Sequence, residues 1–136
     1  MAGKILVLGS LHLDIIVNSS RLPKPDETLL GDNVSYRFGG KGGNQAVAAA
    51  KIDVQVFMAG RIGTDNFGKQ IYDTLSNQNI NLDGLKMVDE ATGMSVALIG
   101  SDGIYCAVVV SGANQTIDLS EITVPDDLTV LVLQNE

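Results

Sequence analysis

Six neighbouring residues in the first third of the chain carry the types and spacing needed for chemistry: Gly39, Gly40, Lys41, Gly42, Gly43 and Asn44. Four glycines within five positions let a backbone take positive φ angles and let a ligand approach the main chain closely. The alanine-rich run that follows, "NQAVAAAK", reads as a helix, whose start offers unpaired N–H groups and a positive dipole end to an anion or a hydroxyl oxygen. Lys41 adds a mobile positive charge, and the Asn44 amide both donates to and accepts from hydroxyls. The combination suits a sugar that is being phosphorylated, with the glycines making room and the lysine near the transferred phosphate.

Familiar phosphate-binding motifs do not account for this stretch. A Walker loop requires Ser or Thr after its lysine, and Gly42 stands there; a dinucleotide fingerprint counted from Gly40 finds Gln45 where its third glycine belongs. A glycine-rich turn that only starts a helix and packs it tightly remains an alternative. Asp14, set between Leu13 and Ile15, is a second candidate. A carboxylate buried there is costly unless it is satisfied, and a polyol with vicinal hydroxyls would satisfy it. A solvated residue at a strand end is the other reading.

Elements that would position these groups follow from periodicity. Ile5 to Leu8 read as a buried central strand of a parallel sheet, with apolar character resuming over Ile15 to Val17. Residues 21–38 contain two prolines and the Gly31-Asp32-Asn33 cluster, and read as irregular or edge strands. A helix is expected from Gly42 to about Ile52, a strand over "VQVFMAG", and an amphipathic helix carrying Phe67, Ile71 and Leu75 to near Asn79. Asp65 is expected to start that helix. "GMSVALIG" and "IYCAVVVSG" flank Ser101-Asp102-Gly103, a hairpin signal, and "LTVLVL" reads as a further buried strand, preceded by a solvated turn at Asp126 and Asp127. Strands alternating with helices indicate an α/β body, and the hairpin strands outside that alternation indicate a small β flap. A final buried strand with no covering helix after it is expected to belong to a larger domain.

Composition bounds the partners. Nine Lys and Arg against sixteen Asp and Glu give a net charge of −7 over 136 residues, which disfavours nucleic acid and anionic membrane surfaces. No apolar run has the length of a membrane span, and the N-terminus lacks a signal-peptide pattern, so a cytoplasmic location is expected. One cysteine and one histidine cannot build a Cys/His metal site, and Cys106 reads as an inert packing residue of an apolar strand.

Taken in order, "GSLHLD", "FGGKGGNQAVAAAK", "GRIGTDNFG", "TGMSVALI" and "SGAN" resemble the N-terminal half of the ribokinase-like carbohydrate kinase superfamily, over nearly all of the chain. The lysine in "GGKG" is similar to the branch that phosphorylates ribose, as against branches acting on nucleosides or keto-sugar acids. The resemblance implies an α/β three-layer sandwich, incomplete over 1–136, with a β-sheet lid formed by about 11–38 and 92–112. It implies transfer of the ATP γ-phosphoryl group to the primary hydroxyl of D-ribose, with Mg2+ and often a monovalent cation such as K+, and a homodimer paired through lid strands.

By position, the resemblance implies that Asp14 holds sugar hydroxyls, that Gly40, Lys41, Asn44 and Glu136 are further sugar contacts, and that Ser95 and Ala107 touch the sugar from the lid. It places the catalytic base, the anion hole and the ATP site beyond Glu136, so no catalytic residue is assigned here and the 136-residue chain is expected to be inactive alone. Three positions depart from the family pattern. His12 stands where Asn is frequent, and its imidazole can still bond a hydroxyl, with protonation then mattering near neutral pH; a purely structural His12 is the alternative. Asp53 replaces a glycine, implying a strained or altered turn, and Gly43 replaces an alanine, a minor change. Two other functions fit the same residues: a superfamily enzyme acting on another sugar or a nucleoside, and a non-enzymatic sugar-binding or dimerisation module.

Overall fold

The computed structural model describes residues 3–134. Two four-stranded sheets stand in it, one forming the body and one forming a flap over it. In the body sheet, β1 (Lys4–Leu8) lies between β4 (Gln55–Gly63) and β8 (Val130–Leu133), with β5 (Ile80–Val88) outside β4, and every pairing is parallel. A central parallel strand is buried on both faces and so is apolar at successive positions. Val7 points to a core shared with Val56, Met58, Ile62, Ala46, Ile71 and Leu75, while Leu6 and Leu8 point to the opposite face with Ala59.

Helices α1 (Lys41–Ala49) and α2 (Asn66–Ser76) cover the first of these faces. The spacing of four that predicts α2 puts Ile71 and Leu75 on its buried side, both fully inaccessible; each contributes about 2 kcal/mol of burial. Asp65 caps α2 by accepting from Gly68 N–H at 2.8 Å, as expected from sequence. The second face is covered by Ile117, Ile122 and Leu128 from the segment after the flap. Arg61 of β4 is buried beneath that segment, 1% exposed, and donates to Glu121 at 2.6 Å.

The flap sheet runs in the order β3 (Asn33–Gly39), β2 (His12–Ser19), β6 (Met94–Gly100), β7 (Tyr105–Val110). The β6–β7 hairpin turns at Asp102-Gly103 with Gly103 at φ 85°, as the sequence predicts, whereas β2 and β6 pair in parallel. Between β2 and β3 the chain is held by Arg21, which grips Glu27 in a two-point pair at 2.6 and 2.7 Å. No helix among the described residues is long and apolar enough to cross a membrane.

Several expectations are corrected. The first helix starts at Lys41 and ends at Ala49, followed by turn bonds from Lys51 to Ala48 and from Ile52 to Ala49, because no glycine follows to close it in the left-handed conformation. Asp53 adopts no positive φ; among the described residues the non-glycine positions that do are Asp26 and Asp127, the latter in the expected 126–127 turn. Strand β5 is absent from the sequence reading. The final strand, expected to be buried, is an edge of the body sheet among the described residues, with Val130, Leu131 and Leu133 exposed. Cys106, expected to pack, is exposed, as is all of β7.

Candidate functional site

Under the flap, where it meets the start of α1, lies a concave space of about 210 Å³ lined by His12, Asp14, Gly40, Lys41, Asn44, Ser95, Tyr105, Ala107 and Val109. Seven of the eight sequence-predicted site residues therefore converge on one volume, and the eighth, Glu136, lies outside the described residues. Five segments deliver them: β2, the β3–α1 junction, α1, β6 and β7.

Strand alternation explains the selection. Asp14 lies directly opposite Ser95 in the β2–β6 ladder, and Ser95 opposite Val109 in β6–β7, so their side chains share one face of the flap. Ser95 Oγ donates to Asp14 Oδ1 at 2.6 Å. The half-buried carboxylate is thus partly satisfied by the protein itself, a partner that the sequence reading did not supply. An ionised carboxylate offers about four acceptor positions, which leaves capacity for ligand hydroxyls.

At the β3–α1 junction the glycine cluster divides its work. Only Gly40 of the four takes a positive φ, 88°, and a Cβ there would stand 2.6 Å from Ser10 O. The remaining three serve close approach, not unusual φ: a Cβ on Gly42 would be 2.6 Å from the Gly9 carbonyl carbon. For Gly43 the same atom would be 2.5 Å from the end of the Phe38 ring, so the expected minor exchange with alanine requires Phe38 to move. Gly43 N–H donates to Ser10 O at 3.1 Å, tying the helix start to the "GSLHLD" loop. Lys41 and Asn44, on the first turn of α1, are exposed toward the cavity they line.

His12 Nε2 is buried and has no hydrogen-bond partner among the described residues. An imidazole nitrogen left this way is costly. Tyr105 and Val109 were not singled out from sequence; the period of two from Ala107 along β7 would have found them. Among the described residues, no three His, Cys, Asp or Glu side chains converge in a way that could hold a metal ion.

Outside the cavity lining, Asp65 accepts from Thr92 N–H at 2.9 Å and Thr92 Oγ1 at 2.6 Å, joining α2 to the segment that leads into β6. Burial raises the Asp65 pKa, but hydrogen bonds from Thr92, Gly68 and Phe67 outweigh it and hold the carboxyl below its ordinary value.

An α/β body with a β flap closing on an aspartate, a glycine-rich helix start and an adjacent lysine defines a carbohydrate kinase fold, and the chain belongs to the pfkB family of carbohydrate kinases, whose sequence pattern matches residues 2–129. It is 39% identical over 113 residues to the ribokinase of Bacillus subtilis, covering 83% of this chain and 39% of that one. The crystal structure of ribokinase from Cryptococcus neoformans in complex with ADP superimposes with a TM-score of 0.85 at 34% identity, covering 98% of this chain and 41% of that one. The structure of Arabidopsis thaliana ribokinase complexed with ribose and ATP gives 0.78 at 38% identity, over 84% of this chain and 38% of that one. The chain thus spans about two fifths of the length of these relatives.

Proposed function

We propose that the whole protein is a ribokinase acting in the cytoplasm, transferring the γ-phosphoryl group of ATP to the primary hydroxyl of D-ribose, and that this segment supplies its sugar-binding face and lid. The observation that carries the reading is the convergence of Asp14, Lys41, Asn44 and Ser95 on one concave space beneath the flap. In that space Asp14 accepts two vicinal hydroxyls of the sugar while Ser95 holds its other side, Asn44 bonds further hydroxyls, and His12, whose Nε2 is buried as the ring stands, joins them by turning the ring into the cavity that it lines. Gly40 lets the sugar approach the backbone, Ala107 gives an apolar wall, and Lys41 faces the negative charge on the transferred group.

In the reaction the sugar oxygen forms a bond to the γ-phosphorus, the bond from that phosphorus to the bridging oxygen breaks, ADP leaves, and the hydroxyl proton passes to a base. The resemblance places that base and the nucleotide site beyond Glu136 and makes Glu136, which lies outside the described residues, a sugar contact; the nucleotide-bound relatives support ATP as donor. Mg2+ would neutralise phosphate charge, with K+ as its companion; among the described residues no three His, Cys, Asp or Glu side chains meet to hold a metal ion.

A homodimer through the flap fits its outer face. Tyr36, Ile15, Val96 and Val108 lie in one cross-strand row there, and Tyr36, Val96 and Val108 are exposed. Apolar rows of this kind are covered in stable proteins.

The test is phosphorylation by the full-length gene product with D-ribose, 2-deoxyribose and nucleosides side by side. Ribose is expected to have the highest kcat/KM, Asp14→Ala to abolish the preference, and the isolated 136-residue chain to show no turnover. A nucleoside preference overturns the substrate, and ribose-dependent turnover by the isolated chain overturns the division of labour.

A further inference from the structure

One buried polar side chain stands just behind the sugar cavity without lining it. Asn114, 9% exposed, lies in the short 3-10 turn Gly112–Thr116 that follows β7. Its Oδ1 accepts from Leu11 N–H at 2.9 Å, and its Nδ2 donates to Leu11 O and to Ser111 O, each at 2.9 Å. All three bonds are to backbone, and the chain segments they join are 103 residues apart.

The two ends of this clamp are the two sides of the cavity. Leu11, fully buried, immediately precedes His12 and the strand that carries Asp14. Ser111 immediately follows β7, which carries Tyr105, Ala107 and Val109. A third segment passes through the same point: Gly93, at the start of the return into β6, accepts from Leu13 N–H at 3.0 Å, and a Cβ on it would strike Asn114 Nδ2 and stand 2.5 Å from His12 Cδ2. Only a carboxamide offers one acceptor and two donors on a group of this size; a carboxylate would set an anion against two carbonyl oxygens, and an apolar side chain would leave three backbone groups without it.

We infer that Asn114 is the positioning residue of the sugar site: it fixes the backbone of Leu11 to the end of β7, and so sets where His12 and Asp14 stand relative to Tyr105 and Ala107 of the flap. The inference rests on the sugar-site reading above. It concerns distance between the two walls of the cavity, so its loss acts on sugar affinity and not on nucleotide affinity. A misplacement of about 1 Å in such a site costs on the order of a hundredfold.

The test uses the full-length gene product carrying Asn114→Ala, Asn114→Ser or Thr116→Ala. Serine keeps one donor and an acceptor on a shorter stem, and Thr116→Ala removes the Thr116 Oγ1 bond to Ala113 O in the same turn, 2.8 Å, without touching Leu11. The expected result is a ribose KM raised roughly tenfold or more in Asn114→Ala and by less in Asn114→Ser, with the ATP KM within about twofold of wild type. Thr116→Ala is expected to lower thermal stability slightly and to leave both KM values unchanged. Equal effects on ribose and ATP, or a lowered melting point with an unchanged ribose KM, overturn the inference. Amide exchange at Leu13, read by NMR in Asn114→Ser, is the companion measurement because it needs no substrate. Faster exchange there supports positioning even if wild type ignores ribose, in which case the substrate reading alone fails; unchanged exchange overturns positioning.

Discussion

Ser95 and Asp14 face each other across the parallel β2–β6 ladder, and the hydroxyl of one donates to the carboxylate of the other at 2.6 Å. The lid therefore holds the sugar-binding aspartate of the proposed site, as well as covering it. Removing the hydroxyl in Ser95→Ala takes away a hydrogen bond to a charged group, which is worth about 1.5 to 3 kcal/mol. Ribose affinity is expected to fall about tenfold or more, with Ser95→Thr near wild type, in a calorimetric titration of the full-length protein. An unchanged affinity in Ser95→Ala removes Ser95 from the site.

Gly40 is the position where the cluster needs glycine for its backbone angle. Gly40→Ala forces a side chain into φ 88° and against Ser10 O at 2.6 Å and His12 N at 2.8 Å. The angle alone costs about 1 to 2 kcal/mol, and the collisions add to it. Urea denaturation is expected to show a loss of at least about 2 kcal/mol, and a loss under about 0.5 kcal/mol contradicts the geometry.

Asp65 accepts from the start of α2, through Gly68 N–H, and from the N–H and hydroxyl of Thr92, which is 1% exposed. Asp65→Ala loses a helix cap and leaves Thr92 partly unpaired. The expected destabilisation is about 3 kcal/mol, with Asp65→Asn milder because it keeps an acceptor. Equal stability of Asp65→Ala and wild type by urea titration contradicts the joint.

Acid acts on the flap through Glu27. The hydrogen bonds from the Arg21 guanidinium, then from the Lys24 N–H, lower its pKa from 4.5 to about 2. A carboxyl depressed in the folded state contributes stability that is complete above its unfolded pKa and is lost as pH falls through the folded one. Stability is therefore expected to decline between pH 4.5 and about 2, and Glu27→Gln to flatten that part of the profile, lying below wild type at neutral pH and converging with it near pH 2. Melting points measured across this range test it; parallel profiles for the two proteins reject it.

Local signals carried much of the architecture. The unbroken apolar run of β1, the spacing of Phe67, Ile71 and Leu75, and the Asp102-Gly103 turn each report a structure decided within a few residues. Strand β5 left no such trace: its apolar residues change phase between Ile80, Leu82 and Leu85, Met87, where the ladder to β4 shifts register, which breaks the period of two. The site was legible as a set of residue types, since seven of its members meet in one cavity, but the bonds among them were not. Ser95 to Asp14 and Asn114 to Leu11 span 81 and 103 positions, and no local pattern encodes such pairings.

The parallel pairing of β2 with β6 also sets an order of events. Parallel strands cannot be joined by a tight turn, and here the connection passes through β3, α1, β4, α2 and β5 before β6 is reached. As the chain leaves the ribosome, β2 and β3 can pair early, but the other side of β2 has no neighbour until residues 94–100 have been synthesised and the body between them has folded. Closing so long a loop is entropically slow. The sugar pocket therefore forms after β3, α1, β4, α2 and β5, with only the β8 edge of the body sheet, which pairs with β1, closing a longer loop, and a ligand bound there would report that the rest of the body beneath it had already been built.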